Sequence, residues 1–225
     1  MDSDIFEGIR LYRENRYEDA LTVFLKISTK DSDTNFDLVY YIGLCYARLS
    51  QYDDSLVYLE QIITAGASIA RIYQCRLILA FIYTKTGRLK LAEFELSKLL
   101  DAGYKSPQVY AALAYLAYEQ DNTKNAISFY EKALEFAPDN PTALNGLGYI
   151  LAASGQDLTR ALVLCKKAFD SQQENTAYMD SLAWVYYKLG FPGPAKQYIQ
   201  QALEKAPDNE LIGYHAKIIN DEGEN

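Results

Sequence analysis

TAYMDSLAWVYYKLGFPGPAKQYIQQALEKAPDN, residues 176–209, reads as two helices and the turn between them. Met179, Leu182, Ala183 and Tyr186 follow i, i+3, i+4, i+7, which puts them on one helical face. Gly190 after Leu189 supplies a stop that accepts the left-handed conformation. Pro192 and Pro194 fall where a second helix begins, where a missing N–H does little harm. Ala195, Ile199, Ala202 and Leu203 continue at three and four spacing, and Pro207 ends the segment. Nothing in the chain alternates with period two between turn signals, so no strand is expected.

The closing APDN, residues 206–209, also occurs at 137–140, a separation of two periods of about 34 residues. A small residue recurs in helical context at Ala20, Ser55, Ala92, Ala126, Ala161 and Ala195, at intervals of 35, 37, 34, 35 and 34. Gly87 and Gly190 precede it by five residues and Gly155 by six. The chain is therefore a repeat array, and each period is a helix–turn–helix.

This pattern resembles the tetratricopeptide repeat (TPR) family, whose unit carries small residues at positions 8 and 20, an aromatic at 11 and proline at 32. Six units fit, at about 1–34, 36–69, 73–106, 107–140, 141–175 and 176–209, followed by a capping helix at 210–220 and an acidic tail at 221–225. Position 8 is Gly8, Gly43, Ala80, Ala114, Gly148 and Ala183; position 24 is Phe24, Leu59, Leu96, Tyr130, Cys165 and Ile199. Proline at 32 survives as Pro138 and Pro207, and Leu158 marks a one-residue insertion in the fifth turn. The last two units look most like bacterial members of the family. The resemblance implies an all-α fold, a single right-handed α-solenoid over 1–220. One unit cannot bury both of its faces, so stacked neighbours share a continuous core.

In this family the first helices line a concave groove through positions 2, 5, 9, 12 and 13. Carried over, the candidate protein-binding residues are Tyr12, Arg13, Tyr40, Leu44, Arg48, Phe81, Tyr115, Tyr118, Asn145, Tyr149, Asp180, Trp184, Tyr187 and Lys188. Helical geometry supports this for Trp184. At about 100° per residue it lies about 150° from the mean direction of Met179, Leu182, Ala183 and Tyr186, so it cannot share their core face. Either a partner or neighbouring side chains cover it, and an exposed aromatic platform points to a partner. Some members clamp a peptide's terminal carboxylate with Lys, Arg and Asn. The matching positions hold Ile5, Ile9, Tyr41, Gln74 and Ile78, so that mode is not expected. A protein or peptide segment with apolar anchors suits the groove better.

Composition narrows the function further. Acidic residues outnumber basic ones 30 to 22 and the net charge is −8, which disfavours nucleic acid. The longest apolar runs, 77–83 and 111–118, are too short for membrane insertion, and MDSDIFEGIR is not a secretion signal. A cytoplasmic location is expected, or a periplasmic or lipid-anchored one if a leader has been removed. Cys45, Cys75 and Cys165 have no metal-ligand or disulfide spacing and read as buried small hydrophobes. His215, the single histidine, reads as a packing or surface residue. With no nucleophile–base pair, metal cluster or phosphate loop, neither an enzyme nor a cofactor is expected. The expected function is a scaffold that binds a protein segment; the alternative is an assembly module that self-associates as a homo-oligomer.

Overall fold

The computed structural model describes residues 2–28 and 32–221. The tail residues 222–225 lie outside it. Among the described residues there are thirteen α-helices and no strand. They belong to two compact units, residues 1–104 and 105–225.

The N-terminal unit contains three antiparallel pairs: α1 (Asp2–Arg13) with α2 (Tyr17–Phe24), α3 (Ser32–Arg48) with α4 (Tyr52–Thr64), and α5 (Ile69–Lys85) with α6 (Leu89–Asp101). The C-terminal unit contains α7 (Pro107–Glu119) with α8 (Thr123–Phe136), α9 (Pro141–Ala153) with α10 (Leu158–Ser171), α11 (Thr176–Lys188) with α12 (Pro192–Lys205), and α13 (Glu210–Asp221) packed on α11 and α12.

One turn design serves all six pairs. The residue two places after the first helix is left-handed every time: Asn15, Ser50, Gly87, Asp121, Gly155 and Gly190. Each is followed by an N–H that donates five residues back, for example Arg16 to Leu11 (3.0 Å), Gln51 to Tyr46 (2.9 Å) and Phe191 to Tyr186 (2.9 Å). These bonds satisfy carbonyls that the helix end would otherwise leave unpaired.

The two APDN segments have a physical role as well. Asn140 Oδ1 accepts from the N–H of Ala143 (2.9 Å) at the start of α9. Asn209 Oδ1 accepts from the N–H groups of Leu211 (3.1 Å) and Ile212 (3.2 Å) at the start of α13. The proline stops one helix and the asparagine caps the next.

Close approach within each pair rests on the small residues. Ala20, Ser55, Ala92, Ala126, Ala161 and Ala195 are all fully buried. The Ser55 hydroxyl donates to the Gly43 carbonyl at 2.7 Å. A Cβ at Gly148 would stand 2.5 Å from Cys165 Sγ and 3.0 Å from the Ala161 carbonyl, so no larger residue fits there without a shift.

In the N-terminal unit Ile5, Leu11, Ala20, Phe24, Leu38, Ile42 and Cys45 form one apolar cluster. The larger cluster of the C-terminal unit runs from Ala114 on α7 to Ile219 on α13.

Candidate protein-binding face

The first helices carry the candidate residues in both units, and the two faces differ. In the N-terminal unit α1 supplies Tyr12 and Arg13, α3 supplies Tyr40, Leu44 and Arg48, and α5 supplies Phe81. Tyr12, Tyr40 and Leu44 are half-buried, Arg13 and Arg48 are exposed, and Phe81 is 42% exposed. Rings tie this face to the core. Tyr12 meets Tyr41 edge-on at 5.7 Å, and Tyr41 stacks on buried Phe24 at 5.6 Å.

Arg71 from α5 lies 4.1 Å over the Tyr40 ring and pairs with Asp37. Burial pushes the Tyr40 hydroxyl up to about 12, against the opposing pull of the Arg71 charge. Arg48 Nε donates to the Tyr12 hydroxyl at 3.3 Å. Aromatic side chains are thus fixed in place with part of their surface open to solvent, beside guanidinium groups.

In the C-terminal unit the corresponding face is closed over at Asp180 and Trp184, while Tyr118 and Tyr149 stay half-buried. Tyr118 and Tyr149 meet edge-on at 6.0 Å. The Tyr149 hydroxyl is held well above its ordinary range, first by burial, then by Tyr118, Asp180 and Glu119. Asn145 Nδ2 donates to Ser181 Oγ at 3.0 Å, while its Oδ1 has no hydrogen-bond partner among the described residues.

Asp180 is 3% exposed, and both of its oxygens face His215 Nδ1, at 2.8 and 3.0 Å. Trp184 is 8% exposed and stacks on the His215 ring at 4.3 Å. Lys188 stays exposed, with its Nζ 4.9 Å over Trp184 and 5.7 Å over Tyr187. Tyr115 and Tyr187 are half-buried.

The expectation that Trp184 and Asp180 face a partner is therefore corrected. Helix α13 packs on α11 where a seventh first helix would lie, and its His215 fills the space in front of both residues. Eight consecutive α11 residues, Tyr178 to Val185, are buried between α13 and the helices α9, α10 and α12.

Two contributors escaped the sequence reading. Arg71 precedes the third repeat as bounded at residue 73, because α5 begins four residues ahead of that boundary; its three-residue spacing from Gln74, with which it hydrogen-bonds at 3.1 Å, was the available signal. Tyr214, 61% exposed on α13, was missed because that helix was read only as a cap.

The cysteines behave as small hydrophobes. All three are buried and unpaired, and burial pushes each thiol up to about 12, far from a reactive thiolate at neutral pH. Among the described residues no helix is long and apolar enough to cross a membrane.

Stacked helix pairs with a shared turn and small-residue seams define a helical-repeat scaffold. Tetratricopeptide repeat models match residues 7–68, 107–140 and 129–162, together roughly half the chain. The chain belongs to the tetratricopeptide repeat family.

It is 36% identical over 95 residues to the TPR repeat-containing protein PA4667 of Pseudomonas aeruginosa, a match covering 40% of this chain and 16% of that protein. The chain thus spans a small part of that relative's length. Among solved structures, that of the APC/C hetero-tetramer Cut9–Hcn1 superposes with a TM-score of 0.77 at 16% identity, over 96% of this chain and 42% of the other. YrrB, described as a TPR protein with an unusual peptide-binding site, superposes at 0.50 and 17% identity, over 80% and 91%.

Proposed function

We infer that this chain is a scaffold that holds a segment of a partner protein against the first helices of its N-terminal unit. The observation that carries this reading is the half-open row Tyr12, Tyr40, Leu44 and Phe81. Three separate helices deliver it, with Arg71 over the Tyr40 ring and Tyr41, itself stacked on Phe24, against Tyr12. Rigid, partly desolvated aromatics beside solvent-facing cations are the usual anchors of a protein interface. The peptide-binding site named for YrrB and the heteromeric assembly named for Cut9–Hcn1 lend support from the same fold.

The test is partner capture from native cells with the unaltered chain, Leu44→Asp and Phe81→Ala. Loss of the same captured protein with both variants, each still folded and cooperative in melting, is expected. Retention of that protein by both variants rejects the N-terminal face.

A further inference from the structure

The last residue of each first helix in the N-terminal unit is basic: Arg13 ends α1, Arg48 ends α3 and Lys85 ends α5. A basic residue at a helix C-terminus complements the macrodipole, which accounts for any one of them. It does not account for how the acids are distributed.

The chain has eight arginines. Arg10, Arg16, Arg71, Arg76, Arg88 and Arg160 each pair with a carboxylate. Arg13 and Arg48 have no ion pair among the described residues, in a chain where acids outnumber bases 30 to 22. Glu14, next to Arg13 in sequence, turns to Arg10 at 2.8 Å and to Arg16 at 3.9 Å. Arg48 is held by a neutral group, the Tyr12 hydroxyl.

The two arginines without acids therefore end neighbouring first helices, α1 and α3, which also carry Tyr12, Tyr40 and Leu44. The one acid of this face that the structure pairs, Asp37, is neutralised by Arg71.

Resting on the reading of this face as a protein-binding surface, we propose that its ligand is an acidic segment, with apolar side chains on Leu44 and Phe81 and carboxylates on the Arg13–Arg48 edge. Complementary charge selects the partner and speeds encounter, and guanidinium groups with open donors accept carboxylates in paired hydrogen bonds. The neutral Tyr12 hydroxyl already orients Arg48, so binding at the arginines need not break an internal ion pair.

The probe is a random peptide library displayed on phage and selected on the full chain. Arg13→Glu/Arg48→Glu and Arg13→Gln/Arg48→Gln serve as charge variants, and Leu44→Asp as the face variant. Selected peptides rich in Asp and Glu are expected. They should lose affinity by about tenfold or more on charge reversal, lose less on neutralisation, and weaken as salt rises.

Selected peptides that are neutral or basic, or acidic ones unaffected by charge reversal, overturn the acidic assignment. If those peptides still need Leu44, the binding face survives. Peptides indifferent to both Leu44→Asp and charge reversal overturn the face itself. Binding of single-stranded DNA in preference to every acidic peptide assigns the edge to phosphate instead. A dimer that dissociates on charge reversal assigns it to a second copy of the chain. Circular dichroism and melting show that each variant folds before its binding is read.

Discussion

Phe81 on α5 and Trp184 on α11 stand at the same register of their first helices, yet Phe81 is 42% exposed and Trp184 only 8%. On α3 and α5, Leu44 and Phe81 keep surface toward solvent. On α11, Trp184 occupies the equivalent place and is buried against His215. The side chains alone do not explain this, since a tryptophan offers a larger contact surface than either. The difference comes from the next helix. Helix α13 brings an imidazole to Asp180 and Trp184 together. Availability of a groove residue in a stacked array is thus a property of its neighbour as much as of its own position.

The largest expected effect breaks or confirms this contrast directly. Trp184→Ala should destabilise the chain by about 3–5 kcal/mol, the cost of removing a buried aromatic. Phe81→Ala should cost less, about 1–2 kcal/mol, because part of that side chain already faces water. Urea unfolding of both variants measures the pair. Equal costs mean that the two faces are not different in kind.

His215→Ala tests which part of α13 closes the C-terminal face. It strips Asp180 of its hydrogen-bond partner while the carboxylate stays buried, and it removes the ring stacked on Trp184. The expected cost is about 2–3 kcal/mol, with a change in the emission of Trp184, the only tryptophan. A variant with unchanged stability and emission means that backbone packing of α13 covers Trp184 without the histidine.

Much of this was legible in the residues. The period fixed where helices pair, because small residues on one helix leave room for the partner helix and its large side chains, as Gly8 does for Phe24 and Gly43 for Leu59. The six turns were partly visible: Gly87, Gly155 and Gly190 announce a left-handed turn, whereas Asn15, Ser50 and Asp121 adopt it without that signal.

Helical geometry sets Trp184 apart from the face of Met179 and Leu182, yet all three lie in one buried cluster. What failed was the step from that direction to exposure. In a stacked array a first helix is buried twice, once against its own partner and once against the following pair, so pointing away from one core can mean pointing into the next. Arg71 was missed for a related reason: α5 is longer than the repeat template, and the added turn has no template position.

The smallest effect concerns the turn that sets the end of α3, where Arg48 sits. Ser50 is left-handed at φ 59°, and its counterpart in the last pair is Gly190 at φ 78°. A residue with a Cβ pays about 1–2 kcal/mol in that region, while Asn and Asp tolerate it through local hydrogen bonds. Ser50→Gly removes this strain but gives the unfolded chain more freedom, which offsets about 0.4–1 kcal/mol. The net expectation is a stabilisation of about 0.5 kcal/mol, read as a small upward shift in the denaturation midpoint at unchanged slope. Gly190→Ser makes the reverse change in the C-terminal unit and should destabilise by a similar amount. If both substitutions lower stability, the N-terminal turn holds its serine for a contact rather than in spite of strain, and the two units differ in their turns as well as in their faces.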